Sequence, residues 1–245
     1  MLDTGDDENI SLTSDIVVDN NLVIKPELGE CHIPLLKIGT AKIKDILGFY
    51  ENYQLQYRVL NIPIYKQENI FIGLKFIRSF SYVRFDNVEQ KAVFSEEEVF
   101  KPEISESWMS FPFEIKPDEY KNDRIMVQMP INGQVYEVFF DSCGVKPGLS
   151  LNKHDWQAIE PGLIVKEIHK SHYFNYQSGR LPCQIAAISE FSIGEKKLKN
   201  TKIIIKENPN ELSMLSLGYF QDTSVVLDFV NNLLWIKKQN KRIHE

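Results

Sequence analysis

The sequence predicts an all-β fold in which two related lobes follow one another along a single chain of 245 residues. Most of the chain consists of short apolar or alternating runs separated by turn residues, a pattern typical of β-strands. Segments with a helical pattern are few, and the same order of elements is found twice. The clearest strand candidates are LQYRVLNIPIY, IMVQMPI, QVYEVFF, TKIIIK and SVVLDFV.

The predicted helices are short and lie between the strands. The segment SLNKHDWQAI starts with a capping residue and predicts a short helix. GLKFIRSF and LGYFQ each predict a single turn or a short helix.

A charged segment that contains prolines, residues 95–123, divides the chain near its middle. We interpret most of this segment as the connection between the lobes. The predicted bounds are a first lobe at residues 1–98, a linker at 99–123 and a second lobe at 124–245.

Four elements are found in the same order in both lobes. In the second lobe, two strands joined by the turn Asn132-Gly133 lead to Asp141 at the end of an apolar strand. The pair Asp141-Ser142 corresponds to Asp3-Thr4 in the first lobe. Each lobe continues with an Ile-Gly turn between strands, an apolar pair ending in glycine, and a strand with an apolar-Asp pair. These features are Gly39 and Gly194, Gly73 and Gly218, and Asp86 and Asp228.

The repeated motifs resemble the aspartic peptidase superfamily, especially its retropepsin-like branch, with two lobes in one chain. A lobe of that family has a strand ending in Asp-Thr/Ser-Gly, a flap hairpin, and a later apolar-apolar-Gly segment that crosses beneath the catalytic loop. The resemblance implies two β-barrel lobes around a central cleft, with Asp3 and Asp141 as the catalytic pair. It implies supporting roles for the loop residues Thr4, Gly5, Ser142 and Gly144, and for the crossings at Gly73 and Gly218.

The implied reaction is hydrolysis of an extended polypeptide by a water molecule. Two carboxylates within hydrogen-bonding distance cannot both ionise, so the pair shares one proton. One carboxylate then acts as a general base on the water, and the protonated one polarises the scissile carbonyl. This chemistry requires neither a metal nor another cofactor. The substrate is expected to lie in the cleft as an added strand.

Three features depart from the family pattern. Cys143 stands where the family has glycine, and the loop after it is longer and contains Pro147. Only Met1 and Leu2 precede Asp3, so the first lobe lacks a counterpart of the strand pair that leads to Asp141. We therefore expect that the natural N-terminus is missing, and a lost segment could have carried an export signal.

The composition narrows the classes of partner. Hydrophobic residues make up 43% of the chain, which excludes wholesale disorder. A formal net charge of -6 argues against a nucleic-acid partner, which usually requires a basic face. No apolar run approaches the roughly 20 residues of a membrane span, and no signal peptide is visible. The compartment stays open, and a monomer with pseudo-two-fold lobes is favoured.

The cysteine and histidine patterns do not predict a metal site. Cys31, Cys143 and Cys183 are widely spaced and odd in number, so a disulfide framework is not expected, although one pair could bridge. His169 and His172 have the spacing of two ligands on one helical turn, but the residues around them resemble a flap strand or loop. Cys143 itself has three interpretations: a packed apolar residue, an oxidisable thiol, or a nucleophile paired with a histidine.

Two further interpretations of function stay open at this point. The first is a catalytically inactive relative that binds peptides or partner proteins in the same cleft. The second is a β-sheet scaffold in which Asp-Thr-Gly is incidental. Asp86 and Asp228 are expected to be structural or solvated carboxylates that close a strand turn, and residues 20–36 and 172–188 are candidates for the flaps.

Overall fold

The computed structural model describes residues 2–39, 41–51, 55–59, 62–67, 70–96, 99–103, 107–119, 121–143, 148–175 and 179–238. The chain divides into two compact units, Met1–Ser79 and Phe80–Glu245. Strands predominate in both units, which confirms the predicted all-β fold class. None of the helices in these ranges is long and apolar enough to cross a membrane.

The first unit contains one five-stranded sheet and a separate hairpin. Its strands are β1 (Ile10–Thr13), β2 (Val23–Lys25), β3 (Glu30–Ile38), β4 (Ala41–Glu51), β5 (Leu55–Val59), β6 (Ile62–Gln67) and β7 (Ile70–Ile72). The order in the sheet is β2-β3-β4-β1-β7, and β5 pairs with β6. Two short helices accompany them, α1 (Ser14–Asp19) and α2 (Leu74–Ile77). Ile10, Leu74 and Ile77 are fully buried in this unit.

The second unit is built on one twelve-stranded sheet. Its strands are β8 (Tyr82–Asp86), β9 (Lys91–Ser95), β10 (Trp108–Pro117), β11 (Asp123–Ile131), β12 (Gln134–Asp141), β13 (Leu149–Leu151), β14 (Val165–Asn175), β15 (Gly179–Ile193), β16 (Lys196–Lys206), β17 (Met214–Ser216), β18 (Ser224–Asp228) and β19 (Leu233–Lys237). Their order is β14-β15-β16-β13-β17-β12-β11-β10-β19-β18-β8-β9. The unit also contains helix α3 (Lys153–Ile159) and 3₁₀ turns at Glu160–Gly162 and Leu217–Phe220.

Both units contain the same pairings around one short strand. In the first unit, β1 runs parallel to β4 and antiparallel to β7. In the second, β13 runs parallel to β16 and antiparallel to β17. A short helix follows β1 and β13, and an antiparallel hairpin joins β3 to β4 and β15 to β16. These pairings agree with the predicted internal repeat, which itself stays a prediction.

The predicted helices are found, with one difference in detail. Helix α3 begins at Lys153, and its N-cap is Asn152, whose side chain accepts a hydrogen bond from the Asp155 backbone N–H at 2.8 Å. Ser150, earlier in the predicted helical segment, lies in β13. The helix starts later than predicted because Ser150 and Leu151 pair in the sheet, and the Asn152 side-chain oxygen then satisfies an N–H that the first helical turn leaves without a partner.

The segment predicted to connect the lobes contains a strand that the prediction missed. In β10, the buried residues Met109, Phe111 and Phe113 alternate with exposed ones, which is the period of a half-buried strand. Its first half, residues 108–112, pairs with β19, and its second half, residues 113–117, pairs with β11. The prolines and charges of this segment obscured that alternation. The lobe bounds at 98 and 124 stay a prediction.

Candidate active site

Asp141 is placed by a hairpin whose turn was predicted. Asn132 and Gly133 have φ angles of 49° and 82°, the left-handed conformations that a two-residue hairpin turn requires. Strands β11 and β12 pair from Ile131–Gln134 to Met126–Phe139. Val138 and Phe140 are fully buried, so the strand that carries Asp141 is anchored in the core.

The end of β12 is fixed by a parallel strand. Asp141 lies opposite Ser216 of β17, and the Phe139 backbone N–H donates to the Ser213 carbonyl at 2.8 Å. The carboxylate of Asp141 is half-buried, and its Oδ1 accepts a hydrogen bond from the Cys143 backbone N–H at 2.8 Å. The carboxylate is therefore held by its own loop.

Asp3 has the same local geometry in the first unit. Leu2 forms a parallel bridge with Ile72 of β7, and the Asp3 backbone N–H donates to the Ile72 carbonyl at 3.0 Å. Asp3 Oδ1 accepts from the Gly5 backbone N–H at 2.9 Å. Asp3 is half-buried and Thr4 has no exposed surface. Each candidate aspartate thus accepts a hydrogen bond from the backbone N–H two residues later.

The two candidate crossings follow β7 and β17. Gly73 donates its backbone N–H to the Asn9 carbonyl at 3.0 Å, and a Cβ at Gly73 would lie 2.1 Å from the Glu8 carbonyl oxygen. This close approach of two backbones requires glycine. Gly218 is less crowded, because a Cβ there would first meet Ser216 Oγ at 3.3 Å.

The loop after Asp141 is described in part. Ser142 and Cys143 are half-buried, whereas Gly144 and Pro147 lie outside the described residues. Gly148 has a φ of 101°, and a Cβ there would lie 2.3 Å from the Tyr219 ring, so the position accepts only glycine.

The structure gathers the predicted site residues within each unit. Asp3, Thr4 and Gly5 lie beside the start of the Gly73 crossing, and Asp141 lies beside the strand that leads to Gly218. Asp3 and Asp141 belong to different compact units. Their approach to hydrogen-bonding distance, and hydroxyl bonds from Thr4 and Ser142 between the loops, stay predictions.

Asp86 and Asp228 have the structural roles expected of them. Asp228 is fully buried and its carboxylate accepts hydrogen bonds from Val230 N–H, Asn231 N–H and the Asn231 side-chain amide, at 3.1, 3.1 and 2.8 Å. Asp86 accepts from Glu89 N–H at 3.1 Å. Both carboxylates therefore close the turn that follows their strand.

A buried polar cluster at the end of β16 was not predicted. Lys206, at the end of β16, is only 8% exposed, and its Nζ donates to the Leu212 carbonyl at 2.7 Å. The same Nζ lies 3.7 Å from Glu211 Oε2 and 5.9 Å from the centre of the Tyr173 ring. The Tyr173 hydroxyl donates to Glu211 Oε2. In the sequence, KENPNE has the composition of a solvated loop, so no local signal marks these residues.

The charges of this cluster act on Lys206 in opposite directions. Burial lowers the pKa of Lys206, while the negative charges of Glu211 and Asp141 raise it. The net effect is a pKa below the ordinary value for lysine.

Neither the cysteines nor the histidines form a separate site. None of the three cysteines, all within the described ranges, forms a disulfide. His169 and His172 lie in strand β14 rather than on a helix, so the helical-turn spacing does not apply to them. In the described part of the chain, no group of three or more His, Cys, Asp or Glu residues is placed to hold a metal ion. Cys143 is half-buried, and its three interpretations stay open.

Comparisons with known proteins give structural similarity alone. No family model and no curated protein match the sequence. Among solved structures, the chain is similar to a retropepsin-like aspartic protease from Rickettsia conorii, with 14% identity and a TM-score of 0.34, over 56% of this chain and 96% of that one. It is also similar to EIAV protease complexed with the inhibitor HBY-793, with 12% identity and a TM-score of 0.32, over 40% of this chain and 86% of that one. These scores are too low to define an activity, which has to be argued from the residues of this chain.

Proposed function

We propose that this protein is an aspartic endopeptidase that cleaves extended polypeptides with a water molecule activated by Asp3 and Asp141. The proposal depends on one observation above all. Each aspartate follows a parallel strand contact and accepts a hydrogen bond at Oδ1 from the backbone N–H two residues later, at 2.9 Å for Asp3 and 2.8 Å for Asp141. Such bonds favour the ionised carboxylate and hold it in one orientation.

In the proposed reaction the two carboxylates share one proton. The ionised carboxylate removes a proton from the bound water, and the protonated one donates a hydrogen bond to the scissile carbonyl oxygen. The water oxygen forms a bond to the carbonyl carbon, and the peptide C–N bond then breaks as its nitrogen takes up a proton. Gly73 and Gly218 would support the loops as the crossings that follow β7 and β17.

The alternative is a catalytically inactive relative that binds peptides in the same place. Cys143 supports it, because a side chain here occupies the position at which the resembling family has glycine. A side chain restricts the backbone conformations open to the loop. The two candidates share the fold and differ in whether the carboxylates can act as a pair.

Cleavage of denatured casein between pH 3 and 7 tests the proposal. We expect the natural chain to cleave casein and Asp141→Asn and Asp3→Asn each to lower the rate by at least about 1,000-fold, since each change removes one half of the acid–base pair. The matched control is Asp222→Asn, at a half-exposed carboxylate that pairs with Lys196.

Three outcomes would contradict the endopeptidase. Cleavage that persists in both active-site variants would indicate another mechanism or a contaminant. Equal losses in Asp222→Asn would indicate a general effect on folding. If the folded natural chain binds casein peptides without cleaving them, the inactive peptide-binding relative replaces the proposal.

A further inference from the structure

We propose that the outer edge of strand β14 binds an extended, acidic segment of another polypeptide as an added strand. The evidence is the position of β14 at the end of its sheet, the exposure of its side chains and the positive charge around it. The inference goes beyond the proposed endopeptidase and does not rest on it, because none of this evidence comes from Asp3 or Asp141.

Strand β14 is one end of the twelve-stranded sheet. It runs for eleven residues, Val165–Asn175, and within the described part of the chain it pairs with β15 alone. In an antiparallel pair, every second residue directs its backbone N–H and C=O away from the partner strand. An end strand therefore presents a row of backbone donors and acceptors to which an extended peptide can add.

The first half of β14 is exposed on both faces of the sheet. All five residues from Lys166 to Lys170 are exposed, although successive side chains of a strand point to opposite faces. Ile168, the apolar residue among them, is 42% exposed. A strand added at this edge would thus have side chains of β14 to contact on both of its faces.

The segment that forms β14, β15 and β16 is positively charged in an acidic protein. Residues 165–206 contain eight lysines and arginines and three glutamates, a net charge of +5, whereas the whole chain has a net charge of -6. Four of the eight positive side chains form ion pairs. These pairs are Lys196 with Asp222, Lys197 and Lys199 with Glu190, and Lys206 with Glu211.

The positive side chains at the edge have no such carboxylate. Lys166 Nζ donates to the neutral side-chain oxygen of Asn200 at 2.6 Å. Among the ion pairs between described residues, none includes Lys170 or Arg180. An Nη atom of Arg180 instead lies 3.4 Å from His172 Nδ1. Charge complementarity at this edge therefore favours an acidic partner.

A second copy of the chain fits this edge poorly. When a two-fold axis relates two antiparallel copies of a strand, the residues that face each other differ by an even number of positions. Glu167 therefore cannot face Lys166 or Lys170 directly in any such pairing. An axis at Ile168 would instead place Lys166 opposite Lys170. Lysines on an end strand oppose this kind of self-association, and a partner that carries carboxylates removes the repulsion.

The test is peptide binding to the full-length Asp141→Asn chain, followed by fluorescence anisotropy at neutral pH, with the natural chain as reference. Asp141→Asn prevents the proposed peptidase from consuming the probe. The probe is a labelled seven-residue peptide of alternating glutamate and valine, and the matched probe has lysine in place of each glutamate. Two further probes carry N-methyl groups, one on the glutamates and the other on the valines.

We expect the acidic peptide to bind and the lysine peptide to bind at least about tenfold more weakly. An added strand uses the N–H groups on one of its two sides, and these belong to alternate residues. One N-methylated peptide should therefore lose at least about tenfold in affinity, while the other binds like its parent.

The matched variants are Lys170→Glu and Lys199→Glu, which change the net charge equally. Lys170→Glu should weaken binding of the acidic peptide by roughly fivefold, and increased salt should reduce the difference because the contact is exposed. Lys199→Glu should leave the affinity within about twofold, since Lys199 lies on β16, 3.8 Å from Glu190, and not at the edge. Circular dichroism checks that both variants keep their strands.

Four results would overturn the proposal. The acidic peptide does not bind, or the lysine peptide binds equally well. Both N-methylated peptides bind like the parent, which would indicate attraction by charge without an added strand. Lys170→Glu leaves the affinity unchanged, which would place the peptide elsewhere, the candidate cleft included. A single-stranded thymidine oligonucleotide displaces the probe as well as unlabelled acidic peptide does, which would indicate a surface for polyanions in general. Since binding is measured without cleavage, failure of the proposed endopeptidase leaves this test intact.

Discussion

At the scale of the residue, four aspartates accept similar local hydrogen bonds but differ in how deeply they are buried. Asp3 and Asp141 are half-buried, and each accepts a backbone N–H two residues later within its own loop. Asp228 is fully buried and uses its carboxylate to close a turn. A base that acts on a bound water has to be reached by solvent, so the two half-buried aspartates are better catalytic candidates than the fully buried Asp228.

Asp86 gives a pH-dependent prediction. Burial acts to raise the pKa of this carboxyl group, but hydrogen bonds from Glu89 and Ser224 and the charge of Arg84 outweigh burial and lower it below its ordinary value. A carboxyl group whose pKa is lowered on folding adds stability above its unfolded pKa of about 3.9, and that stability is lost as the pH falls through the lower folded value.

Asp86→Asn should therefore lower the free energy of unfolding by about 1 kcal/mol at pH 6 and by much less near pH 2. Urea denaturation of both proteins at the two pH values measures the difference. An equal loss at pH 2 and pH 6 would contradict the electrostatic explanation and indicate a loss of packing.

At the scale of the element, the two crossings differ in how tightly they exclude a side chain. A Cβ at Gly73 meets two backbone oxygens, Glu8 O at 2.1 Å and Asp6 O at 2.8 Å, and backbone cannot move aside cheaply. At Gly218 the nearest atoms are Ser216 Oγ at 3.3 Å and Gly148 Cα at 3.5 Å. The first crossing is therefore the more rigid support.

Gly73→Ala should destabilise its unit by about 3 kcal/mol or more, whereas Gly218→Ala should cost about 1 kcal/mol or less. Gly162→Ala is the control, since a Cβ there meets nothing within 4 Å. Urea denaturation followed by far-ultraviolet circular dichroism measures each cost, and tryptophan fluorescence reports on the second unit alone, which contains Trp108, Trp156 and Trp235. Equal losses at Gly73 and Gly218 would show that the close backbone approach does not decide stability.

Sequence patterns predicted the turns and short helices, because these elements depend on residues that are neighbours in the chain. The turn Asn132-Gly133, helix α3 and the short turn at Leu217–Phe220 are found where the residues indicated them. Strand β10 was missed because Pro112 and Pro117 argued against it, although Pro112 lies at an exposed position of the strand.

Local sequence patterns did not predict the contacts between residues that are far apart in the chain. The pairing of β8 with β18 joins residues far apart in the chain, and nothing in either segment specifies the other. The cluster of Lys206, Glu211 and Tyr173 depends on three elements that meet only in the folded sheet. The aspartate motifs could be predicted, whereas their electrostatic surroundings could not.

At the scale of the whole molecule, each sheet is complete within one compact unit. The sheet β2-β3-β4-β1-β7 lies within the first unit, and the twelve-stranded sheet lies within the second. Within the described ranges, the strand pairings of the second sheet are therefore all made between strands of the second unit.

A fragment comprising Phe80–Glu245 should consequently fold by itself. We expect dispersed amide signals in its NMR spectrum and cooperative urea unfolding, because Ile125, Val127, Phe140 and Leu227 are fully buried and lie in strands that pair with other strands of the same fragment. The matched fragment Met1–Ser79 is the comparison. A collapsed spectrum for the larger fragment would show that it needs the first unit to fold.

The pairing of β8 with β18 also determines when the twelve-stranded sheet can be completed during synthesis of the chain. A ribosome that adds about 5–20 residues per second needs roughly 10–30 s to make the chain between these strands. During that interval β8 can pair with β9, but its other edge has no strand to bind. Val83 and Phe85, which are buried in the finished protein, are then exposed on the nascent chain to solvent or to a chaperone. Slower translation lengthens that exposure.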